Sequence, residues 1–105
     1  MMGGTDAARE GGSDVSATAE VVVEFFGVPR LRAGRAELRV PPGTVAEVLA
    51  AVERACPGLA GLRRPDGSAA PHYLLSLDGR AFLADPRRGL NAGDRVLLLS
   101  ADAGG

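Results

Sequence analysis

The sequence predicts an α+β domain, a mixed sheet of about five strands with one main helix packed on one face. Three observations carry that expectation. Two β-rich segments, Ala19 to Phe26 and Ala36 to Val40, are spaced as a hairpin; one amphipathic helical stripe begins at Thr44; and an apolar last segment, Arg95 to Ser100, has no long crossover helix before it. The 105 residues fit one domain, and 46% hydrophobic residues suffice for a single core with little left over for a separate catalytic cleft.

Residues 1–18 are Gly, Ser, Ala, Asp and Glu with almost no large apolar side chain, too little to offset ordering entropy, and read as a disordered leader before a domain over 19–105. The first strand puts Val21, Val23 and Phe25 on one face and Glu20 and Glu24 on the other. Gly27-Val28-Pro29 and Ala33-Gly34 mark a turn region. Ala36, Leu38 and Val40 then alternate with Arg35, Glu37 and Arg39 as the return strand. Pro41-Pro42-Gly43 ends that strand, and Thr44-Val45-Ala46-Glu47 is a capping box, in which threonine accepts from the third helical N–H while glutamate reaches back. Val45, Val48, Leu49 and Val52 supply the buried stripe of the helix, which Cys56-Pro57-Gly58 terminates. A long Gly, Pro and Arg-rich connection follows to Pro71, with Leu59 and Leu62 as its anchors. Tyr73, Leu75 and Leu77 alternate up to Asp78-Gly79, a two-residue hairpin signal, and Arg80 to Leu83 is the short return. Leu90-Asn91-Ala92-Gly93-Asp94 turns the chain into the final strand, expected at the sheet centre beside the first because both are so apolar.

Composition removes several function classes. A net charge of −1 supplies no field for nucleic acid or an acidic membrane, and no apolar run approaches the roughly 20 residues that span a bilayer. The N-terminus lacks a basic segment followed by an apolar stretch, so the default compartment is the cytoplasm. Cys56 is the single cysteine, which rules out an internal disulfide, a zinc cluster or a cysteine-ligated iron-sulfur centre within one chain; at a helix end it reads as a buried structural thiol. His72, the single histidine, has no neighbouring nucleophile or second ligand in sequence and reads as structural or solvent-facing. Arg30, Arg32, Arg35 and Arg39 are interrupted by Glu37 and apolar residues and read as a solvated hairpin. All 12 basic residues are arginine; with no lysine, the N-terminal group is the chain's one primary amine.

The order strand, strand, helix, strand, short strand, strand is that of the β-grasp, or ubiquitin-like, fold. Val23-Glu24-Phe25-Phe26-Gly27, Pro42-Gly43-Thr44-Val45-Ala46-Glu47-Val48-Leu49, Leu90-Asn91-Ala92-Gly93-Asp94-Arg95-Val96 and the closing Gly104-Gly105 together resemble the MoaD/ThiS family of bacterial sulfur carriers over residues 20–105. The resemblance implies a carrier and co-substrate, or the small non-catalytic subunit of a synthase, with no cofactor or metal of its own. In that family an E1-like adenylyltransferase uses ATP and magnesium to activate the terminal carboxylate, and a sulfur donor displaces AMP to leave a thiocarboxylate. Gly105 would bear the sulfur, and Ala103 and Gly104 would form a narrow delivery tail, since residues without bulk can thread a tight channel. An acceptor synthase would then take the sulfur, with molybdopterin as the leading pathway. Asp102 stands where the family more often has a hydrophobic residue, and the prolines frequent before it in molybdopterin synthase small subunits are missing. Carriers for cysteine, thiamine or a specialised metabolite, and a ubiquitin-like modifier conjugated to target lysines, are the alternatives.

Partner contact is expected on the sheet face turned away from the helix. Alternation in the last strand exposes there either Leu97 and Leu99 or Val96 and Leu98; Leu97 and Leu99, joined by Phe26, form the candidate patch.

Overall fold

Strand β1, Val21–Phe25, buries every second residue, as the alternation requires. It opens the chain described by the computed structural model, which covers residues 19–101; the expected leader and Asp102 to Gly105 lie outside the described residues. Strand β2, Glu37–Val40, returns antiparallel, with Val21 opposite Val40 and Glu24 opposite Glu37.

Between them lies a short helix, α1, over Val28–Ala33, where the sequence reading has only a turn. Pro29 sits in its first turn, where a missing N–H costs nothing, and Gly34 closes it in the left-handed conformation (φ 72°), donating its N–H to the Arg30 carbonyl at 3.0 Å.

The two-residue strand β3, Gly43–Thr44, leads directly into helix α2, Val45–Ala55. The capping box is formed: the Glu47 N–H donates to Thr44 Oγ1 at 3.1 Å, and the Thr44 N–H donates to Glu47 Oε1 at 2.8 Å. Val45 and Ala46 donate to the carbonyls of Arg88 and Pro86, so the first three helical amides all find acceptors. The returning segment that supplies those carbonyls also forms strand β6, Gly89–Leu90, which pairs antiparallel with β3 in a small second sheet.

After α2 a single 3₁₀ turn, Pro57–Leu59, begins the long connection, pinned by Leu59 and Leu62, both at 0% exposure. A bridge between Arg63 and Ala69 folds this connection on itself. At its tip the Ser68 hydroxyl (2.6 Å) and amide (2.9 Å) donate to Asp66 Oδ1, and these bonds, the hydroxyl's first, hold the carboxyl below the ordinary aspartate value.

Strand β4, Tyr73–Leu77, turns at Asp78-Gly79 into β5, Ala81–Phe82. Both turn residues have positive φ, 55° and 73°, and the Arg80 N–H closes the turn on the Leu77 carbonyl at 2.9 Å. Strand β7, Arg95–Ser100, lies between β1 and β4 in the order β2-β1-β7-β4-β5, parallel to β1 and antiparallel to β4.

One face of this sheet receives α2. Val21, Val23, Phe25, Leu75, Val96 and Leu98 meet Val45, Val48, Leu49 and Val52 in the core, and Cys56 is buried with them. Burial of each such side chain contributes about 1.5–3 kcal/mol before entropy is counted.

Candidate functional site

The end of β7 is held to its last described residue. Ser100 pairs with Tyr73, and the Ala101 N–H donates to the His72 carbonyl at 2.7 Å, so the chain leaves the sheet beside the start of β4. Helix α1 walls this exit. Arg32 reaches from it to the Tyr73 hydroxyl, donating from Nη1 at 2.8 Å across 41 residues of sequence. Val28, Arg32, His72, Tyr73 and Ser100 line a cleft of about 350 Å³ at the point of departure. The His72 ring is exposed and stands edge-on to Tyr73, with centroids 5.5 Å apart and planes at 60°.

The open face of the sheet starts at the same place. Val96 and Leu98 point to the helix, which leaves Leu97 and Leu99 on the opposite side, half-buried. Register places Leu74 beside Leu99, while Ser76, Leu97, Glu24 and Glu37 share one row across four strands. Phe82 closes that row at β5, opposite Ser76. Phe26 follows β1 and is 42% exposed; Leu74 and Phe82 are 39% and 72% exposed. An apolar surface therefore runs from Phe26 across Leu99 and Leu97 to Leu74 and Phe82. At its far end the Arg95–Glu24 ion pair, 2.6 Å, makes the surface polar.

Phe26, Leu97 and Leu99 thus fall on one face and close to the tail's point of departure, whereas Ala103, Gly104 and Gly105 lie outside the described residues. Leu74, Phe82 and the Arg32–Tyr73 bond escape the sequence reading. The signal for Leu74 is present: a leucine out of phase with Tyr73, Leu75 and Leu77 must face away from the helix. Of the four arginines near the hairpin, Arg39 pairs with Glu37 at 3.7 Å and Arg32 is engaged by Tyr73, while Arg30 and Arg35 are exposed. Among the described residues no group of three or more metal-ligating side chains comes together, and no helix is long and apolar enough to cross a membrane.

Comparison with known proteins gives this architecture its class. Neither a protein-family model nor a curated protein matches the sequence. Solved structures do. The HVO 2177 protein of Haloferax volcanii is 31% identical with a TM-score of 0.67, over 83% of this chain and 87% of that one. SAMP1 from the same organism, a small archaeal modifier protein, is 26% identical with a TM-score of 0.69, over 82% and 99%. A putative molybdopterin converting factor subunit 1 from Pyrococcus furiosus shares the fold at 17% identity and a TM-score of 0.63, over 78% and 97%. The fold is the ubiquitin-like β-grasp, as the element order implies. The chain belongs to the MoaD/ThiS-like family of small ubiquitin-like proteins.

Proposed function

We propose that the chain is charged with sulfur at Gly105 and delivers it in a biosynthetic pathway. The observation that carries this reading is the end of β7. Its last described residue is hydrogen-bonded to the sheet beside an apolar face, and the sequence beyond it, Asp102-Ala103-Gly104-Gly105, has one side chain larger than a methyl group.

In this reading an E1-like enzyme docks on Phe26, Leu97 and Leu99 and draws the tail into its own active site. The Gly105 carboxylate attacks the α-phosphate of magnesium-bound ATP, and pyrophosphate leaves. Hydrosulfide from a sulfur donor then attacks the carbonyl carbon of the acyl adenylate, the C–O bond to AMP breaks, and the product is a thiocarboxylate. Activation is needed because a carboxylate is a poor electrophile, whereas AMP is a good leaving group. The chain supplies the docking face and the acyl group; ATP and magnesium belong to its partner. An acceptor synthase in the cytoplasm consumes the sulfur, and molybdopterin synthesis is the pathway to test first, ahead of cysteine, thiamine and specialised metabolites.

The likeness to SAMP1 favours a second reading, in which activated Gly105 acylates lysines of target proteins. Intact-mass measurement after incubation with an E1-like enzyme, ATP, magnesium and a sulfur donor separates the two. One oxygen-to-sulfur exchange mapped to Gly105, dependent on ATP, is expected for the carrier. Covalent adducts on target lysines without that exchange would establish the modifier instead.

A further inference from the structure

We infer that the outer edge of β2 is a self-recognition surface: a second copy of this chain adds its own β2 there, antiparallel and centred on Leu38, and joins the two sheets into one.

β2 ends the order β2-β1-β7-β4-β5, so one of its sides is open. Register shows which groups that side offers. The Phe25 N–H donates to the Ala36 carbonyl at 2.8 Å, and the same register sets Leu38 opposite Val23 and Val40 opposite Val21. Bonding residues alternate along an antiparallel ladder, so Ala36, Leu38 and Val40 turn their backbone polar groups toward β1. Glu37 and Arg39 turn theirs outward, and among the described residues no other segment bonds them. Their side chains stand half-exposed on the open face.

Charge selects the partner. Charged residues on an edge strand ordinarily keep other strands away. Here the two outward-bonding residues carry opposite signs and flank Leu38 symmetrically. A copy related by a two-fold axis through Leu38, perpendicular to the sheet, sets Glu37 against Arg39 of the second copy and Arg39 against its Glu37. Each pair exchanges backbone hydrogen bonds in both directions and opposes unlike charges. Other registers fail. Sliding by two residues sets glutamate on glutamate or arginine on arginine, and sliding by one sets outward-bonding residues against those already bonded to β1.

The single chain also leaves a charge imbalance that this pairing relieves. Glu24 and Glu37 lie directly opposite each other across β1 and β2, an unfavourable like-charge pair. Arg95 holds Glu24 at 2.6 Å, whereas the cation nearest Glu37 among the described ion pairs is Arg39 of its own strand at 3.7 Å. The second copy's Arg39 extends that row on the other side of Glu37. Pro41, which has no N–H, stops the ladder, so the interface falls short of the roughly 1,000 Å² of a stable complex and the association is weak and reversible. The two-fold axis puts both helices on one side of the joined sheet. Both open faces, with Phe26, Leu97 and Leu99, remain uncovered on the other, so self-pairing does not compete with docking there.

The test is sedimentation equilibrium of the full chain up to millimolar concentration in low salt, with amide NMR shifts followed on dilution. It needs no activating enzyme and stands apart from the reading of Gly105. The parent chain is expected to form a reversible dimer, with concentration-dependent shifts at the Glu37 and Arg39 amides. E37R and R39E each turn both cross-copy pairs into like charges and should weaken association at least about tenfold. Mixed in equal amounts, the two variants restore opposite signs at both pairs and should form a heterodimer within about threefold of the parent affinity. Thermal unfolding confirms that each variant is folded. A parent chain that stays monomeric at millimolar concentration overturns the inference and leaves this edge to a strand of another protein. A dimer that survives both reversals overturns it too, because it uses another surface, as does a mixture of folded variants that stays monomeric.

Discussion

Gly58 shows how one residue positions the exit from a distance. A Cβ built on it would stand 2.1 Å from the Arg32 carbonyl oxygen, so at this point the 3₁₀ turn approaches the backbone of α1 more closely than any side chain allows. Gly58→Ala is expected to push the two apart and destabilise the fold by about 1–3 kcal/mol, read from the midpoint of denaturant unfolding. In sequence, Cys56-Pro57-Gly58 announces a helix stop, and that much is legible from local chemistry. Its contact with Arg32 is not, because it depends on two segments meeting in space. The Arg32–Tyr73 bond is hidden for the same reason. Leu97 and Leu99, by contrast, follow from alternation once the phase of β7 is known, and the burial of Val96 and Leu98 supplies that phase.

At the scale of elements, those with a strong period or a cap were readable: β1, α2, β4 and the Asp78-Gly79 hairpin all lie where composition puts them. Thr44→Ala removes the acceptor for the Glu47 amide and should cost about 1 kcal/mol, measurable as a lower unfolding midpoint with an unchanged denaturant slope. Helix α1 is not legible in the sequence because six residues give too little length for a period, and Leu31 is 81% exposed and marks no buried stripe. Pro29 near its start and Gly34 just past its end were the usable signals. The pairing of β3 with β6 had none. Two-residue strands carry no alternation, and the carbonyls that satisfy the first amides of α2 belong to Pro86 and Arg88, just before β6, which only the return of that segment brings there.

For the whole molecule, the central place of the last strand beside the first follows from how apolar both segments are, whereas the pairing of β7 with β4 has no such local signal; the open face is what the resulting order leaves uncovered. Leu99→Glu puts a charge between Phe26 and Leu74 on that face and leaves the buried side of β7 unchanged. Cooperative unfolding should persist, while charging by an E1-like enzyme falls by at least about tenfold in the intact-mass assay, the size expected for one central interface residue. Unchanged charging would move the docking surface elsewhere. The position of β7 has a further consequence, in the order of synthesis. The middle of the sheet is made last. Until Arg95 to Ser100 leaves the ribosome, β1 and β4 each present an open hydrogen-bonding edge toward the vacant centre, and the domain cannot be completed by adding strands outward from a finished half. Because the tail follows β7 directly, a chain that offers its terminus to a partner from the end of a paired β7 is one whose sheet has already closed.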